Sequence, residues 1–110
     1  MENIIAHSLE KLYREFEKAD QIFLESGMKD TDAYEKGLAE AARRAAAEHM
    51  EALYNDMDRM LCSDIVRKKK YTLQRHDTRE LLTVNGSVRF THTLFRNKED
   101  GSHHYLLDEW

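Results

Sequence analysis

The chain of 110 residues contains no proline, only four glycines and a single cysteine. Without proline no position is barred from a helix interior by a missing N–H, and abundant charge with few turn residues favours long helices over a loop-rich fold. One thiol, Cys62, excludes an intramolecular disulfide and a cysteine-cluster zinc site. Its scarcity suits a reducing cytosol, so a cytoplasmic location is expected. No apolar run approaches the roughly 20 residues of a membrane span. The N-terminal MENIIAHSLEKLYREFEKAD has acids throughout in place of a signal-peptide apolar region. No membrane partner is expected.

Chemistry is as thinly represented. There is no Walker A motif, no GxGxxG and no nucleophile elbow. Asp56 and Asp58 lie two apart on a predicted helix and so do not face each other. Asp108 and Glu109 are adjacent carboxylates, but a two-metal nuclease needs acids converging from separate elements, and the sequence shows no such set. His103 and His104 are adjacent, so a strand turns them to opposite faces. Cys62 follows apolar Leu61 without a basic neighbour on its helix face and reads as a structural thiol. His49, near the apolar stripe, reads as a packed histidine. The expectation is no catalytic residue, no metal site, no cofactor and no small-molecule substrate.

What is present is charge sorted along the chain. Residues 1 to 66 carry 8 Lys/Arg against 15 Asp/Glu, whereas residues 67 to 98 carry 9 basic residues against only Asp77 and Glu80. A weakly acidic pI of about 5.8 thus hides a basic segment. Such a segment can contact phosphates even in an acidic protein. Arg67, Lys68, Lys69, Lys70, Arg75 and Arg79, with Arg89 and Arg96 further on, are the candidate DNA-phosphate contacts. The plain alternative is a solvated basic junction that balances the acidic helices.

Apolar spacing supplies the framework. Ile5, Leu9, Leu12, Phe16, Ala19 and Phe23 recur at alternating steps of four and three, the period of a coiled-coil or bundle seam. They predict helix 1 over about 3–26, stopped near Ser26-Gly27. Asp32, with Glu35 three residues on and Thr31 as an alternative, predicts the cap of helix 2. That helix then runs over about 32–66, through AEAARRAAAEHMEAL, with Leu38, Ala42, Ala46, Met50, Leu53, Met57, Met60 or Leu61, and Ile65 as its apolar stripe. It is about 50 Å long and cannot be covered by helix 1 alone, so it kinks, protrudes or pairs with a second chain; a homodimer through the helices is expected, with a single-chain bundle completed by a downstream domain as the competing explanation. Residues 67–78 form a basic junction and 79–110 an antiparallel β-meander. In the meander, Asn85-Gly86 is a type I′ hairpin signal. It pairs Thr83 with Val88 and Leu81 with Phe90. Leu81, Thr83, Val88, Phe90 and Leu94 then share one face, and Leu82, Val84, Arg89, Thr91 and Thr93 the other. The fold class is α+β, a long antiparallel helical hairpin followed by a three-stranded antiparallel sheet.

The ordered set of these features resembles the N-terminal region of the ISLre-type insertion-sequence transposases, once filed as an uncharacterised protein family of Gram-positive bacteria. The carrying residues are Leu53-Tyr54-Asn55-Asp56-Met57-Asp58, then the basic segment, then Gly86, Val88, Phe90 and Phe95. The turn Asn97-Lys98-Glu99-Asp100-Gly101 and Tyr105-Leu106-Leu107-Asp108-Glu109 complete the set, which covers about residues 30 to 110. His92 stands where the family usually has arginine, and Leu94 where an aromatic is common. The resemblance implies a transposase whose metal-dependent catalytic residues sit in a downstream RNase H-like domain that this chain lacks. Alone, then, the chain is expected to bind DNA or assemble protomers without cutting or joining strands. The alternatives are a helical oligomerisation module or a small regulatory protein with no direct DNA contact.

Overall fold

A long helix carries the molecule. In a computed structural model that describes residues 2–109, α1 spans Glu2–Glu25, α2 Thr31–Ser63 and α3 Ile65–Lys70. Strands β1, Tyr71–Thr83, β2, Gly86–Asn97, and β3, His103–Tyr105, form one antiparallel sheet in the order β1-β2-β3, and a 3-10 turn, Leu106–Glu109, follows. The α+β arrangement of a helical hairpin and a three-stranded antiparallel sheet matches the expected class.

α1 runs antiparallel to the first half of α2. Ser8 meets His49 at 2.7 Å, Lys11 pairs with Glu48, Arg44 reaches Glu15 and Tyr34 bonds Asp20. His49 is accordingly a half-buried packing residue. The turn uses Gly27 and Met28 at positive φ. The cap of α2 is Asp30, whose carboxylate accepts from the Ala33 N–H at 3.0 Å; Asp32 and Thr31 already lie inside the helix.

The second half of α2 is covered by the sheet. Ala47, Met50, Tyr54, Met57 and Leu61 pack against Val88, Phe90, Leu81 and Leu107. The length of α2 therefore needs no second chain to cover it. The two halves in series give a rod with extents of 67 × 25 × 18 Å and a radius of gyration of 19.4 Å, against about 13 Å for a compact domain of this size. The helix ends before the expected Val66. Asp64, extended at φ −69 and ψ 127, ends α2 and caps α3 by accepting from the Arg67 N–H at 3.1 Å. Ile65, expected on the apolar stripe, is turned to solvent by that break.

The expected junction at 67–78 is divided: Arg67 to Lys70 finish α3, and β1 begins at Tyr71 in place of Arg79. Once Asn97 pairs with Tyr71, the whole of β2 has a partner, and ladder bonding draws the polar stretch 72–78 into the sheet although its own pattern is weak. The hairpin register also differs. Thr83 pairs with Gly86 and Leu81 with Val88, so Val84 and Asn85 form the loop. Only Gly86 takes positive φ there, at 109°, and the Thr83 hydroxyl bonds both Gly86 O and Asn85 N. A slip of two residues preserves side-chain parity, so Leu81, Val88 and Phe90 still face the core while Leu82 and Val84 are 90% and 94% exposed. Thr93, expected on the open face, is fully buried, as is Phe95. The C-terminal half of β2 is covered on both faces.

The outer edge of β2 is completed in two ways. Glu51, Asn55 and Asp58 of α2 accept the backbone N–H groups of Arg89, Thr91 and Thr93 at 2.9, 2.8 and 2.8 Å. Acceptors at i, i+4 and i+7 rise about 10 Å along a helix, close to the roughly 13 Å between strand residues four apart. From Leu94 onward β3 takes over that edge.

Candidate functional site

The eight basic residues singled out above do not form one stripe. Arg67 is buried, at 7% exposure. Its Nε donates to Leu61 O at 2.9 Å, Nη1 to Tyr71 O at 3.1 Å and Nη2 to Cys62 O, while the guanidinium lies 4.7 Å from the centre of the Phe95 ring. It ties the end of α2 to the start of β1 and is removed from the candidate contacts. A guanidinium is suited to this because its several donors satisfy carbonyls freed at the helix break.

Arg75 and Arg79 are committed to acids. Arg75 Nε donates to Asp77 at 2.9 Å, and Arg79 Nη1 lies 2.9 Å from Asp108. The Tyr105 hydroxyl, and then the Arg75 guanidinium, hold the Asp77 carboxyl below its ordinary range; the same contact raises Tyr105. Arg79 pairs with Phe90 in the ladder and Arg89 with Glu80, so the two arginines project from opposite faces of the sheet. Arg89 and Arg96 are exposed, with no ion pair among the described residues.

Lys68, Lys69 and Lys70 remain together. They form the last turn of α3 and are exposed. Lys98, from the turn after β2, folds beside them: its Nζ donates to Lys68 O at 2.7 Å and its N–H to Lys70 O at 2.9 Å. This satisfies carbonyls at a helix C-terminus, where a cation is favoured. Lys69, Lys70, Tyr71, Asn97, Lys98 and Glu99 line an open depression beside that turn. No feature of the sequence alone joins Lys98 to residues 68–70; the ladder pair Tyr71–Asn97 does so.

The residues that carry the family resemblance serve the fold. Asp58 is 3% exposed and bonds both the N–H and the hydroxyl of Thr93. The Tyr105 ring stacks on His92 with centres 3.9 Å apart, and Leu107 enters the core. Asp108 accepts from His92 Nδ1 at 3.1 Å, and Glu109 pairs with His104 Nδ1 at 3.0 Å. No helix among the described residues is long and apolar enough to cross a membrane.

Comparison with known proteins finds relatives along almost the whole chain. A UPF0236 protein of Caldanaerobacter subterraneus subsp. tengcongensis, whose name joins many loci of that genome, is 30% identical over 108 residues, covering 98% of this chain and 23% of the relative. A second UPF0236 protein of the same strain is 33% identical over 86 residues, covering 78% of this chain and 18% of its own length. The chain thus spans about a fifth of the length of the curated relatives it matches. No solved structure matches it. Residues 24–110 match the family described as "Uncharacterised protein family (UPF0236)", and on that match and those identities the chain belongs to UPF0236.

Proposed function

We propose that this chain is a non-catalytic, DNA-contacting N-terminal region of an insertion-sequence transposase, acting in the cytoplasm. The carrying observation is the exposed turn of Lys68, Lys69 and Lys70 with Lys98 folded beside it. Four ammonium groups at one end of an otherwise acidic rod suit phosphate oxygens spaced along a duplex. Arg89 and Arg96 extend the reach on the sheet, and the paired Arg75 and Arg79 contribute only by exchanging their carboxylates for phosphate. The many loci joined in one relative's name accord with a gene that multiplies within a genome, and the relatives' greater length leaves room for a catalytic domain outside this segment.

Binding to random duplex and to element-end duplex at two salt concentrations tests the proposal, with mass read by light scattering in the same samples. Contacts from Lys68, Lys69 and Lys70 contribute about −2.7 to the log–log salt slope. Replacing Lys68, Lys69 and Lys70 together with glutamine is expected to abolish most of that contribution at unchanged mass. Absence of binding at low salt would overturn the reading.

A second reading, homodimeric assembly through the helices without DNA contact, rests on a separate observation. Ile5, Leu9, Tyr13, Ile22 and Leu24 of α1 are all exposed. A dimer that persists at high salt, with no DNA binding, favours it, since apolar association does not weaken with salt as phosphate contacts do.

A further inference from the structure

We propose that Asp58, Cys62 and His76 form a binding site for one divalent transition-metal ion of the zinc type. Asp58 and Cys62 stand four apart on α2, one above the other on the same helix face. His76 reaches them from β1, where it pairs with Thr93. One ligand atom from each of the three lies within 4.8 Å of the others. All three converge on a single point, the Thr93 hydroxyl: it donates to Asp58 Oδ2 at 2.6 Å and lies 2.7 Å from His76 Nδ1 and 3.4 Å from Cys62 Sγ.

As a hydrogen-bond hub this arrangement is complete, because a hydroxyl gives one hydrogen bond and accepts two. It leaves the charge of Asp58 unmet. The side chain is almost wholly buried, its partners are the neutral N–H and O–H of Thr93, and it makes no ion pair with a basic side chain among the described residues. Burying a carboxylate without a counter-charge is costly. A divalent ion supplies that charge and is matched by the carboxylate, a Cys62 thiolate and a neutral imidazole.

The donors select the ion. Thiolate with imidazole and carboxylate suits zinc, and excludes magnesium and calcium, which prefer all-oxygen shells. Bonds of about 2.0–2.3 Å require the three ligand atoms to close in around the centre. The Thr93 hydroxyl, which sits there, turns aside or stays as a neighbouring donor. The exposed His76 gives the ion a route from solvent. On binding, the Cys62 proton leaves to solvent and the metal–sulfur bond forms; no electron transfer is involved.

Untagged protein titrated with Co²⁺ and Zn²⁺ tests this. The expected result is one equivalent bound, a thiolate-to-cobalt charge-transfer band, release of a proton, and a rise in the thermal midpoint with Zn²⁺. Cys62→Ser should remove the band, and Cys62→Ser and His76→Ala should each weaken binding at least tenfold. His76 is exposed, so its replacement keeps the fold, which circular dichroism checks. Replacing His103 and His104 with glutamine should change nothing. No thiolate band at one equivalent overturns the proposal. So does binding that survives Cys62→Ser and His76→Ala, or that disappears with His103 and His104.

Discussion

Where α1 meets α2, the contact is made by Lys11 with Glu48, Arg44 with Glu15, Ser8 with His49 and a seam rich in alanine, and α1 leaves Ile5, Leu9, Ile22 and Leu24 in solvent. Where α2 meets the sheet, Val88, Thr93 and Phe95 are fully buried, and Asp58 and Arg67 are buried with their polar atoms bonded. One helix thus serves two unlike junctions. Exposed ion pairs contribute roughly 0–1 kcal/mol each, whereas buried aromatic rings and charged hydrogen bonds contribute several times more. The stability of the molecule is concentrated at the sheet end, and the helical tip is the part with surface to spare.

That contrast can be broken most severely at Phe95. Phe95→Ala is expected to cost about 3–5 kcal/mol, read as a lower denaturant midpoint with the sheet lost first. Asp58→Ala leaves the N–H and hydroxyl of Thr93 unsatisfied, at about 1–3 kcal/mol for each buried donor; Asp58→Asn, which keeps one acceptor, should cost less. Arg67→Lys gives up the fork that holds three carbonyls and is expected to lose about 2 kcal/mol. Its effect on DNA affinity should be no greater than its loss of folded protein. If Arg67→Lys instead weakened DNA binding at full stability, the assignment of Arg67 to the fold would fail. At the helical end, Arg44→Gln should change stability by under about 1 kcal/mol.

The smallest effect concerns acid. Asp77 has a folded pKa below its ordinary 3.8, held there first by Tyr105 and then by Arg75. A depressed carboxylate favours the folded state above its unfolded pKa, and that contribution is lost as pH falls through the folded value. The window therefore opens below about pH 4. In Tyr105→Phe, NMR titration of Asp77 should show its midpoint moving upward towards 3.8. An unmoved midpoint would show that Arg75 alone sets it.

Much of the fold is legible in short-range pattern. The seam of Ile5, Leu9, Leu12, Phe16 and Phe23 predicts α1, and alternation about Gly86 places Val88 and Phe90 inward and Leu82 outward even though the loop is Val84-Asn85 in place of Asn85-Gly86. The break at Asp64 was not legible, because the residues around it suit a helix and only the bonds of the Asp64 carboxylate and the Arg67 fork reward interruption. The candidate site was legible only in part. A run of lysines is visible as charge, but a charge count does not say that Arg67 turns inward or that Arg75 and Arg79 find Asp77 and Asp108.

Composition and periodicity alone determined an α+β chain with two helices before a hairpin, an acidic front and a basic segment, because helix and strand are set by spacing within a few residues. Tertiary structure decided what those residues do. It put Lys98 beside Lys68–Lys70, buried Arg67, laid Glu51, Asn55 and Asp58 along the edge of β2, and gathered Asp58, Cys62 and His76 around Thr93. Each of those meetings joins residues 14 or more apart in the chain or depends on a neighbour that closes the gap, and only packing brings such partners within bonding distance.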